Sequence, residues 1–136
     1  MTDDELWLRF SQQSIGHAEW DHQLHLRTAY LHLARFSFDE AHLRLRAGII
    51  RLNQRHGLEE SASRGYFETL TRVWLLLVAR AAARCQPSTS IELLERCPEL
   101  LDRQLPLRHY SKARLAMPRA RAIFVEPDLT PLPPLP

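Results

Sequence analysis

The sequence predicts an all-α fold, a bundle of about four main helices with short C-terminal helices and an extended Pro-rich tail. Three observations predict it. All nine prolines lie at position 87 or beyond, which leaves a proline-free body able to run as unbroken helix. Apolar residues in that body recur at spacings of three and four, the period of a buried helix face. Strand signals are nearly absent: no long stretch alternates apolar and polar, and no hairpin dipeptide occurs. The chain has 136 residues, 45% hydrophobic and 25% charged, the size and composition of one folded domain. At that length about two-thirds of the unfolded surface can be buried, so folding requires neither disulfide nor metal. A single helical domain over 1–126 and a C-terminal arm over 127–136 follow.

A first helix is expected from Asp3 to about Gln13, because the acidic Thr2-Asp3-Asp4-Glu5 start complements a helix N-terminus. It stops near Gly16. A second is expected from about His17 to Arg35. A third begins near Phe38 and ends at His56-Gly57, where glycine supplies a left-handed cap; Phe38, Ala41, Leu45, Ile49 and Leu52 form its core stripe. After a charged loop and Gly65, a fourth helix runs from Tyr66 to about Cys85. Its centre, Val73 to Ala79, is apolar all round, which places this helix innermost. Pro87 ends it. Thr89-Ser90-Ile91-Glu92 then fits a capping box for a helix over Ser90 to Arg96. Pro98 opens another short one, and further pieces are expected over Ser111–Ala116 and Pro118–Phe124. Four of the last six residues are proline, so the tail is extended. Its leucines, Leu129, Leu132 and Leu135, offer a way to pack it on the body, and its first half is expected to do so.

The formal net charge is +2, and Lys112 is the sole lysine among 18 basic residues. Acidic residues nearly balance the arginines, which gives no broad field for nucleic acid. Arg44, Arg46, Arg51 and Arg55 on the third helix, and Arg114, Arg119 and Arg121 further on, are expected to be solvated faces. Cys85 and Cys97 match no zinc or redox spacing and are expected as free thiols in a reducing compartment. The acidic start does not resemble a secretory signal, and no apolar run is long enough for a bilayer. The expectation is a cytoplasmic protein with neither membrane nor nucleic acid as partner.

Two constellations can carry chemistry. At about 100° per residue, His22, His25 and His32 fall within about a quarter of the second helix. Apolar residues flank that strip on both sides, so at least one histidine is expected to point inward. Paired imidazoles can meet one metal ion, and helical bundles build such sites from histidine and glutamate on facing helices. Half-buried or carbonyl-bonded histidines of structural role are the plainer alternative. In Gly65-Tyr66-Phe67-Glu68-Thr69-Leu70-Thr71, Glu68 lies in the first helical turn, where the helix dipole by itself explains a carboxylate. Its functional alternative is a ligand or general base at the mouth of the core, beside Tyr66, Thr69 or Thr71. His42 lies on the core stripe of the third helix, from where it can reach the second. No phosphate-binding loop, nucleophile elbow or His-Glu-x-x-His motif occurs.

Together, Trp20-Asp-His-x-x-His-Leu, Gly65-Tyr-Phe-Glu-Thr and Phe124-Val-Glu-Pro-Asp-Leu-x-Pro-Leu-Pro resemble a small family of bacterial all-α proteins of unknown function. The resemblance spans most of the chain. It implies threonine where Asp21 stands and histidine where Phe67 stands; the second departure removes a candidate ligand and weakens a metal site. Two functional readings result. In one, the protein is a small-molecule or metal-binding enzyme with a His/Glu pocket between helices two and four. There His22, His25 and Glu68 would be ligands for Fe, Mn or Zn, and Glu68 and Tyr66 the catalytic groups. In the other it is a non-catalytic interaction or homodimeric module with a proline-rich arm for docking.

Overall fold

The computed structural model describes residues 1–136 and contains helices and turns but no strand. Seven α-helices follow in order: α1 (Asp3–Ser11), α2 (His22–Leu33), α3 (Phe38–Arg55), α4 (Glu68–Cys85), α5 (Ser90–Arg96), α6 (Lys112–Ala116) and α7 (Pro118–Ala122). Two 3-10 turns, Pro98–Leu101 and Leu105–Arg108, lie between α5 and α6. No helix is long and apolar enough to cross a membrane.

Side-chain caps set most starts. The Thr2 hydroxyl accepts from Glu5 N–H at 3.1 Å while the Glu5 carboxylate accepts from Thr2 N–H at 3.2 Å, a reciprocal capping box. Asp21 accepts from Leu24 N–H at 2.9 Å, so α2 starts at His22, five residues after the expected His17. Residues 17–19 form a turn instead, because an aspartate at the N-cap satisfies orphan amides that alanine or tryptophan cannot. Ser37 caps α3. Gly57, with φ of 73°, follows its end, a conformation in which a Cβ would be strained. Phe67 precedes α4 without any side-chain cap. Thr89 accepts from Glu92 N–H at 3.1 Å, and Glu92 answers at Ser88 N–H rather than at Thr89.

Helix α4 is the axis of the molecule. Val73, Leu75 and Val78 on it are fully buried, and it packs against α2, α3, α5 and α7. One apolar cluster joins α1 to α5 through Leu6, Phe10, Leu26, Leu45, Leu52, Leu75 and Leu93. A smaller one on the other side of α4 gathers Val73, Tyr110, Ala120 and Val125. Tyr110 donates to Val125 C=O at 2.6 Å, which closes the C-terminal third onto the axis. Gly48 lets α3 approach α1, since a Cβ there would lie 2.3 Å from the Phe10 ring.

Arg27 is buried on α2. It donates to Ser90 Oγ at 2.8 Å and to Met1 C=O at 2.6 Å, and Ser90 in turn donates to Asp3. Burial alone would raise the Asp3 pKa, but the hydrogen bonds from Ser90 and Arg27 outweigh it and hold the carboxyl below its ordinary range. Other arginines lie over rings: Arg35 over Trp7 at 4.1 Å, Arg44 over Phe36 at 4.3 Å and Arg121 over Phe67 at 4.4 Å. These groups are more than solvated faces.

Cys85 and Cys97 form a disulfide, which overturns the expectation of free thiols. Helix α5 turns the chain back so that the end of α4 meets the residue before Pro98, a proximity that the linear spacing does not display. The tail packs through more than its first half. Ser111 N–H donates to Asp128 at 2.8 Å, Leu129 N–H to His109 C=O at 3.0 Å, and Arg80 to Pro134 C=O at 2.8 Å. Leu132 joins the smaller cluster, while Leu129 and Leu135 remain exposed.

Candidate functional site

A cavity of about 530 Å³ lies between α2, α3 and the start of α4, within the range of small-molecule pockets. Its walls are mostly apolar, with Leu26 and Ala29 from α2, Leu45 and Ile49 from α3, and Leu70 and Leu75 from α4. Trp20, Phe67 and Trp74 add aromatic surface. The polar groups on it are few: Asp21, His22, His25, Asn53, Tyr66, Thr71 and Arg103.

Each α2 histidine on the cavity is oriented by a main-chain carbonyl. His22 Nε2 lies 2.9 Å from Leu100 C=O, and its ring packs 4.7 Å from Trp74. His25 Nδ1 lies 2.6 Å from Asp21 C=O, and its ring lies 4.0 Å from Trp20. A carbonyl only accepts, so the proton sits on Nε2 of His22 and on Nδ1 of His25. The other nitrogen of each ring has no partner in the protein. Burial is the main cause that holds the His25 pKa below the ordinary histidine value, and the bond to Asp21 opposes it only in part. His25 is therefore a neutral acceptor at neutral pH. His32, third on the strip, points into a closed aromatic box instead, with Trp7 at 4.8 Å and Phe10 edge-on at 5.4 Å.

Glu68 belongs to another cluster, behind the cavity wall. It is 8% exposed. Its Oε1 accepts from His42 Nε2 at 2.7 Å and from Tyr66 Oη at 2.8 Å, and its Oε2 accepts from Arg46 at 2.8 Å. Arg72 donates to His42 Nδ1 at 3.3 Å, which leaves the histidine proton on Nε2, aimed at Glu68. His42 thus reaches the fourth helix, not the second. With Oε1 saturated, Glu68 acts on the cavity only through Tyr66, whose ring lines it. The phenol proton is given to Glu68. Burial is the main cause that pushes the Tyr66 pKa far above the ordinary phenol range; a hydrogen bond from Thr71 opposes it, the Glu68 carboxylate reinforces it, and the phenol stays protonated.

The expected metal set is not assembled. No three His, Cys, Asp or Glu side chains come together as a group able to hold an ion, because Glu68 is committed to His42, Tyr66 and Arg46. His22, His25 and Tyr66 do share one cavity. Thr69 is drawn to the C-terminal segment, donating to Ile123 C=O at 2.9 Å and accepting from Val125 N–H at 3.2 Å. Thr71 lines the cavity. Sequence reasoning missed Asn53, which is 7% exposed with a side chain that no protein group engages. The signal for it was present: position 53 continues the Leu45, Ile49 row at spacing four, where an apolar residue is the default.

The chain matches no model of a known protein family, no curated protein and no solved structure.

Proposed function

We propose that this protein binds a small organic molecule in the cavity between α2, α3 and α4. The single observation that carries the reading is an apolar, aromatic-walled space of about 530 Å³ onto which His22, His25 and Asn53 bring unpaired polar atoms. Polar atoms without partners are uncommon in a folded interior, since each costs about 1–3 kcal/mol when it is also cut off from water. Only Gln13 Oε1 and Thr28 Oγ1 are buried in that strict sense. The free ring nitrogens of His22 and His25 and the Asn53 amide are not among them, so water or a ligand can reach them.

Thermal denaturation with a set of small aromatic and heteroaromatic compounds tests the reading. A ligand at a hundred times its Kd stabilises by about 2.7 kcal/mol, which is read as a raised Tm. The expected result is stabilisation of the wild-type protein by some members of the set and of Leu70→Trp by none, because the larger ring fills the cavity. Stabilisation of both proteins alike, or of neither at millimolar concentrations, rules the reading out. Glu68→Gln is expected to retain binding, since Glu68 touches Tyr66 and not the cavity.

A further inference from the structure

We infer that the molecule bound in this cavity is flat and uncharged and presents N–H or O–H donors, received by Nδ1 of His22 and Nε2 of His25. The inference rests on the cavity being a ligand site and adds the chemistry that the site selects. Main-chain carbonyls consume one nitrogen of each imidazole, at 2.9 Å for His22 and 2.6 Å for His25. A carbonyl cannot donate, so both remaining nitrogens are acceptors and need donors from a ligand. Burial keeps His25 from taking up a proton and turning into a donor near neutral pH.

Shape and charge narrow the class further. His25 lies 4.0 Å from the Trp20 ring and His22 4.7 Å from Trp74, so the acceptors are set in aromatic walls that favour a planar body. The charged side chains on the cavity are Asp21 and Arg103, of opposite sign and both exposed. No excess of either sign selects an ion. Asn53, on the α3 wall, is 7% exposed with both amide atoms unpaired. It can donate to an acceptor on the ligand's opposite edge or take a further donor.

Matched pairs of probes test this on the full chain by titration calorimetry: indole against 1-methylindole, and 2-naphthol against 2-methoxynaphthalene, with 2-naphthoate as an anionic control. The donor-bearing member is expected to bind about tenfold more tightly than its capped partner, the effect of leaving a desolvated acceptor unpaired. That advantage is expected to vanish in the double variant His22→Phe with His25→Phe, which keeps both rings, and to persist in His25→Gln, which keeps an acceptor. Equal affinity within both pairs overturns the inference while the cavity stands as a ligand site. Tightest binding of 2-naphthoate overturns it in favour of an anion site. Absence of binding by every probe removes it, and removes the underlying site as well if the broader compound set also fails. Histidine ring ¹⁵N spectra supply a ligand-free check: protons on Nδ1 of His22 and Nε2 of His25, the reverse of the arrangement above, would also overturn it.

Discussion

His25 and His32 stand on one face of α2 with the same bond: in each, Nδ1–H donates to the carbonyl four residues back, at 2.6 Å and 2.8 Å. In both, burial is the chief cause that holds the pKa below the ordinary histidine value. Their surroundings differ. His32 is 3% exposed, boxed in by Trp7, Phe10 and Phe36, whereas His25 has Trp20 on one side and open cavity beyond it. The bond and the titration are shared, so neither separates a structural histidine from one available to a ligand. The space beside the second nitrogen does. Position along one helix, seven residues apart, is enough to change that space.

Substitutions at the two sites should break the symmetry most visibly. His32→Ala opens a void among aromatic rings and is expected to cost about 3 kcal/mol, as large-to-small core changes do. His25→Ala enlarges an existing cavity and is expected to cost under about 1 kcal/mol. Urea denaturation measures both, and equal losses would erase the distinction. The disulfide acts on the open side only, since it fastens the turn that carries Leu100, the carbonyl that holds His22. Replacing both cysteines by serine is expected to cost about 2–3 kcal/mol for a loop of this size. Hydrogen exchange should rise first in α5 and the Pro98–Leu101 turn, leaving α1 protected.

Gly48→Ala probes the closed side. The added Cβ meets Phe10, a wall of the His32 box, and overpacking of about 1–3 kcal/mol exceeds the gain in helix propensity of up to about 1 kcal/mol. A net loss of about 1 kcal/mol is expected, with the His32 resonances shifted and those of His25 unmoved. The smallest effect is on pH dependence. Both histidines have folded pKa values below the unfolded one, near 6.5, so the unfolded chain binds more protons as pH falls. Their contribution is full above about pH 6.5 and is lost below it, by at most about 1.4 kcal/mol per pH unit for each histidine. Stability measured from pH 7.5 down to 5.5 should decline, and His25→Ala should flatten the slope.

Several helix ends were legible from a cap or breaker in the chain: Thr2 with Glu5, Gly57, Pro87, Thr89 and Pro118 all act locally. The start of α2 was harder, because no proline or glycine breaks the chain between His17 and His22, and Asp21 decides the boundary by one hydrogen bond. Periodicity gives the direction of His22, His25 and His32 but not what lies opposite. Leu100 C=O is 78 positions from His22, and Ser90 is 63 from Arg27. Glu68 shows the same limit. Its place in a first turn is plain from sequence, while its commitment to His42 and Arg46 depends on the packing of α3 on α4. The cysteine pair needed the reversal of α5 before it could be found.

Guanidinium groups seated over Trp7, Phe36 and Phe67 have a consequence for how far the interior of this protein extends. A ring at the edge of a small bundle ordinarily faces water on one side. Here that side carries a cation too broad and too weakly hydrated to behave as solvent does, so the aromatic layer is roofed without further apolar residues. Lysine, with its compact hydrated ammonium, covers a ring less broadly. A near-total preference for arginine among the basic residues thus has a use in this architecture, whatever first gave rise to it.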